Sequence, residues 1–233
     1  MSLQQHVYAA AAGRSGLPTF LQNSSFSNDN INTNNLTLTL SIALPAGTVL
    51  VLGVMIGGSS AITPPTISDS VGGGSWTTVV NQGGNNGASY GLSQISTRYL
   101  STGSSINATV TCNTPTTGVH TSLNLIAFQG SSGFTAPVTG SNLVTGLSGS
   151  GSSNYASPSI STNAADLLIS TAGQGTNQPS AFLDPTNGWT AEGSINGMAV
   201  LFSPGGSQSA PWTHNNFAGY TASWVCICAL RGW

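Results

Sequence analysis

Residues 36–44, Leu-Thr-Leu-Thr-Leu-Ser-Ile-Ala-Leu, alternate apolar and polar side chains almost without a break. Successive side chains of an extended strand point to opposite faces, so Leu36, Leu38, Leu40, Ile42 and Leu44 fall on one face and Thr37, Thr39 and Ser41 on the other. This predicts a half-buried strand. A Pro45-Ala46-Gly47 turn follows, and then residues 48–56, an unbroken apolar run closed by Gly57-Gly58, which predicts a central strand covered on both sides. Further strands are predicted at residues 75–80, 90–100, 105–112, 121–128, 166–171, 198–202 and 220–231. Turn clusters lie between them at 70–74, 81–87 and 203–206. Helix is disfavoured, since lysine is absent, Glu192 is the only glutamate, and β-branched Thr and Val dominate the regular segments.

These strands read as an all-β sandwich. Residues 1–30 show no sustained period and run into an Asn-rich stretch, which suggests an extended N-terminal arm. Residues 31–233 are read as one sandwich domain, with a long Gly/Ser-rich loop near 139–159 between its halves, because neither half offers enough strands to bury two faces. A split into two domains near residue 150 is the alternative.

Charge narrows the function. The 233 residues include three Lys or Arg and five Asp or Glu, 3% of the chain against about 25% in ordinary domains. The cations are Arg14, Arg98 and Arg231, so no lysine-dependent chemistry exists here. Three scattered arginines do not neutralise a run of phosphates, which argues against a nucleic-acid partner. No export signal is recognised at the N-terminus, and the longest apolar run, 49–56, is far below the roughly 20 residues of a spanning helix. The expectation is synthesis in a host cytoplasm and no membrane partner.

Candidate chemistry is sparse. Asp69 and Asp184 lie in turn contexts where Asp caps its own backbone, and Asp166 opens a strand. His6, His120 and His214 stand in no nucleophile motif, so no catalytic residue is assigned. Cys112, Cys226 and Cys228 fit no zinc spacing or secreted disulfide framework, and they read best as small buried side chains. On an extended strand Cys226 and Cys228 share a face, with Cys112 as a possible partner. The Asn-rich segment 28–35 holds one carboxylate and reads as turn-forming, not as a calcium loop. No metal or cofactor is expected.

One cluster, residues 210–220, brings Trp212, His214, Asn215, Asn216 and Tyr220 together as a stacking platform with amide donors suited to a glycan or a partner. The competing reading tucks Trp212 and Phe217 into the sandwich edge while the asparagines turn the chain. Trp76, Trp189, Trp224 and Trp233 are read as core or interface residues.

The succession of residues 67–77, 95–111, 125–130 and 159–169 resembles β-sandwich modules of phage virion proteins, decoration or tail-associated, and of bacterial surface proteins. The resemblance spans residues 36–231 and carries no catalytic signature. It implies a jelly-roll-like antiparallel sandwich used as a building or attachment unit. The expected function is therefore a non-enzymatic virion component on the exterior, since an arm with only Arg14 in its first thirty residues is poor at facing a genome. It would associate with itself and with other virion proteins. A carbohydrate-binding or adhesive surface module is the alternative.

Overall fold

The computed structural model describes residues 17–31, 35–71, 75–87, 90–113, 119–130, 135–145, 153–174, 182–183, 188–191, 197–214 and 222–231. Among them there is no helix, and every strand ladder is antiparallel. The first eight strands are β1 (Thr19–Ile31), β2 (Asn35–Leu44), β3 (Thr48–Gly58), β4 (Thr66–Asp69), β5 (Thr77–Asn85), β6 (Tyr90–Leu100), β7 (Ser104–Asn113) and β8 (Val119–Gln129). The next eight are β9 (Thr135–Thr145), β10 (Ser153–Ala156), β11 (Ile160–Gln174), β12 (Phe182–Leu183), β13 (Thr190–Ala191), β14 (Met198–Gln208), β15 (Pro211–His214) and β16 (Ala222–Arg231).

These strands form two copies of one pattern. In the N-terminal half β1-β8-β3-β6-β5 make one sheet and β2-β7-β4 another; in the C-terminal half the sheets are β9-β16-β11-β14-β13 and β10-β15-β12. Adding eight to each strand number of the first half reproduces the second, ladder for ladder. No sheet is shared between the halves. The expectation that neither half has enough strands is thus corrected: each has eight, and the boundary lies between β8 and β9, at residues 130–134, not near 150.

The four sheets stack in layers around three cores. Leu36, Leu38, Leu40 and Leu44 of β2 meet Leu50, Leu52, Val54 and Ile56 of β3, so the alternating strand buries the face its sequence predicts. Val49 and Val51 point the other way, into a second core with Leu167, Ile169, Cys226, Cys228 and Leu230 of the C-terminal half. That second core explains the unbroken apolar run of β3, which is buried along its whole length. The third core joins Leu168, Val225, Ile227 and Ala229 to Trp212 and Trp189.

The halves meet through their five-stranded sheets. β3 packs on β11, its own counterpart, and β5 packs on β9, the counterpart of β1. The strand orders therefore run in opposite directions across the contact, as in an isologous dimer, here within one chain. Trp224 is the largest side chain of the contact on the C-terminal side and is fully buried. Its ring lies flat on Gly91 of β6, where a β-carbon would overlap ring carbons. Only glycine lets the sheet and the indole approach so closely.

Other expectations change at the sheet edges. Of the expected arm, residues 1–16 lie outside the described residues, and residues 19–31 are not an arm but the edge strand β1, paired with β8 over its length. Gln22 ties it to the other sheet by donating to Ser41 Oγ at 2.8 Å and accepting from the Ser41 N–H at 2.9 Å, and Phe20 sits edge-on to Phe128. Much of the expected loop 139–159 is strand, in β9 and β10. The expected turn at 203–206 is likewise carried within β14, where Gly205 and Gly206 take positive φ values of 94° and 81° beside the register shift that falls between Ala164 and Leu167 of β11.

Candidate functional site

The proposed platform does not form around Trp212. β15 pairs with β10 and β12, and its alternation turns Trp212 inward and Thr213 outward. Trp212 is 0% exposed. Its indole N–H donates to Ser170 Oγ at 3.2 Å, and Ser170 donates on to the Cys226 carbonyl at 2.8 Å. A ring with both faces packed has nothing to offer a sugar, so of the two readings of Trp212 the stacking role is set aside and the one that tucks it into the sandwich describes its position. Thr213 instead faces out, donating to Asn154 Oδ1 at 3.0 Å. His214 ends β15; its side chain, with Asn215, Asn216, Phe217 and Tyr220, lies outside the described residues.

The described charges are all committed to internal pairs. Asp69 ends β4, where its Oδ1 accepts the Val71 N–H at 2.8 Å, the backbone cap expected of a turn Asp. Its Oδ2 accepts the Trp76 indole N–H at 2.8 Å and pairs with Arg98 on β6. Both members of this pair are buried. Asp166 lies in the irregular part of β11 just after Ala165, whose φ is 72°. It accepts the Asn163 N–H at 2.8 Å and a two-pronged contact from Arg231, at 2.8 Å from Nε and 2.6 Å from Nη2. Burial alone would push the Asp166 carboxyl up, but the Arg231 and Asn163 hydrogen bonds and the Arg231 charge outweigh it and hold the group below its ordinary range. The contact with Asp166 in turn raises Arg231. The two carboxylates belong to different halves, and among the described residues neither faces a second acid. The Asp29 side chain, Asp184 and Glu192 lie outside the described residues, as does residues 32–34 of the Asn-rich segment.

The three thiols are free and buried on two sides of the β1-β8-β3-β6-β5 sheet. Cys112 lies in the first core, while Cys226 and Cys228 lie in the core shared by the halves. Burial pushes the Cys112 and Cys226 thiols up to about 12 and raises Cys228 as well. Buried thiols with so little thiolate are inert. In native protein near pH 8, a chromogenic disulfide reagent is expected to find no reactive thiol over minutes, and three after denaturation. Rapid reaction of any one in the native state would contradict its placement.

The surface that remains is neutral. On the outer face of the β2-β7-β4 sheet Thr37 stands opposite Thr111 and Thr39 opposite Thr109, with the Thr39 and Thr109 hydroxyls 3.4 Å apart. Tyr99 is the one exposed large hydrophobic side chain among the described residues. The site thus built is a hydroxyl-rich sheet surface without a reactive constellation among the described residues. No family model, curated protein or solved structure matches this chain.

Proposed function

We propose that this chain is a non-enzymatic structural component of a phage virion, an exterior capsid decoration or tail-associated protein. It assembles with itself and with other virion proteins through neutral hydrogen bonds and apolar contacts. The observation that carries this reading is the use of charge: Arg98 and Arg231 are each held by an aspartate of the same chain, so no described ion is left over for a partner. A surface of Thr, Ser and Asn on stacked sheets suits a rigid building unit and gives little electrostatic steering.

We also read each half as a jelly roll. Rolling up an eight-stranded antiparallel hairpin pairs strand one with eight, two with seven, three with six and four with five. The first three pairs occur in each half, and the fifth strand sits beside the sixth instead of the fourth. Two such rolls fused back to back make a thick, stiff block, which supports a scaffold role over a hinged or catalytic one.

Salt dependence tests the proposal. Contacts between neutral groups are not screened, so the assembled species seen by sedimentation velocity is expected to keep its size from low to near-molar sodium chloride. Dissociation as salt rises would overturn the neutral-contact reading, and a strict monomer at every protein concentration would overturn self-association.

A further inference from the structure

The core shared by the two halves is apolar at one end and polar at the other. Alternation along β8 puts Ile126 and Phe128 in that core, and with them Asn124 and Ser122, two and four residues before Ile126 on the same face. In the ladder with β3, Asn124 stands opposite Gly53 and Ser122 opposite Met55. Some groups nearby are engaged. Ser93, which pairs with Met55 on its other side, shares a 2.7 Å hydrogen bond with Thr171 across the gap between the halves. The Cys226 thiol donates to the Ser93 carbonyl at 3.2 Å.

Asn124 and Ser122 are left over. Asn124 is 1% exposed, yet neither its Oδ1 nor its Nδ2 has a partner in the protein, and the fully buried Ser122 hydroxyl has none either. A primary amide brings two donors and two acceptor positions. Native interiors satisfy nearly all such groups, by protein or by ordered water. The two side chains do not satisfy each other, because same-face neighbours on a strand stand about 6.7 Å apart. That is more than one hydrogen bond and close to the span of two in series at about 2.9 Å each.

We propose that the seam between the halves holds ordered water, bridging the Asn124 amide and the Ser122 hydroxyl as a fixed part of the fold. Water fits because it is uncharged and both donates and accepts, as the amide requires. A buried water makes about three hydrogen bonds, and Asn124 Oδ1, Asn124 Nδ2 and Ser122 Oγ supply that number. Its directional bonds fix the orientation of the Asn124 and Ser122 side chains on β8 within the seam.

A crystal structure of the full chain that resolves ordered solvent tests this directly. Water density is expected within hydrogen-bonding reach of both Asn124 and Ser122. A dry gap there, or an amide bonded to another protein group, overturns the proposal. In solution the Asn124 side-chain amide, assigned by its loss in Asn124→Leu, is expected to show NMR cross-peaks to a long-lived water that weaken in Ser122→Ala. Should Asn124→Leu fail to fold, Ser122→Ala alone carries the test: no water cross-peak at any side-chain amide that responds to it overturns the proposal.

Discussion

Trp224→Ala is expected to lower stability by about 3–5 kcal/mol, as removal of a fully buried tryptophan does elsewhere. For a chain of this size that is a fall of about 10 °C in Tm. The ring is fully buried and lies flat on Gly91, so its loss opens a gap between two sheets that are each held by many hydrogen bonds and do not collapse to fill it. Gly91→Ala attacks the same contact from the other side, by placing a methyl group where the indole sits. Alone it is expected to destabilise. In the Trp224→Ala background the space is vacant, so the same substitution becomes nearly neutral. Urea unfolding of the two single variants and the double variant measures this coupling. Additive losses would show that Trp224 and Gly91 do not touch, and with that the back-to-back packing of the halves would fall.

Arg98→Ala is expected to cost about 3–5 kcal/mol as well, for an electrostatic reason. The substitution leaves the Asp69 carboxylate buried without its cation, although the Val71 and Trp76 donors remain. Removing both charges, as in Asp69→Asn with Arg98→Met, is expected to recover much of that loss, because the penalty comes from the orphaned ion and not from a missing attraction. A double variant no better than Arg98→Ala would argue that the pair contributes through packing instead. Arg231→Ala gives the contrast. Its side chain is 34% exposed, so water replaces part of what is lost, and the fall in stability is smaller.

The second pair also carries a pH signature. The folded Asp166 carboxyl is held below its ordinary range, so the protein binds fewer protons at this group than the unfolded chain does. The associated stability is complete above the ordinary carboxylate pKa, near 4, and is lost as pH falls through the lower folded value. Arg231→Ala is expected to flatten this acid-side loss in a urea-midpoint profile and to leave the neutral side parallel to the unmodified chain. An unchanged acid slope would mean that Arg231 does not set the Asp166 titration.

Strand character was legible wherever it rests on local period. Residues 36–44 and 48–56 sit in a half-buried and a fully buried strand as their patterns require, and 90–100 coincides with β6. The strands that were missed have weak periods for a physical reason. β1 and β9 are sheet edges, with one side open to solvent, and tolerate Asn, Ser, Gly and Pro that read as arm or linker. β12 and β13 are two residues each, too short for any period to show. With those strands unseen the C-terminal half looked incomplete, and the duplication stayed hidden.

The candidate site suffered from the same ambiguity. Polar neighbours leave Trp212 open to a surface and a core reading alike, because in a four-residue strand alternate residues face opposite ways, and the side taken depends on the sheet that covers it. Ser122 and Asn124 alternate with Leu123 and Leu125 just as a solvent face does. They lie inside because a second sheet packs over them, which no property of β8 records.

Composition and local alternation thus decided the all-β class, the poverty of charge and the chemistries that go with it, since these depend on residue type and on neighbours in the chain. The pairing of β1 with β8 and of β9 with β16, the back-to-back fusion of two equal halves, and the burial of Trp212 and Asn124 were decided by contacts between residues far apart in sequence. Such contacts depend on which surfaces complement one another once sheets exist, and a strand carries the same alternation whether its polar face meets water or another sheet.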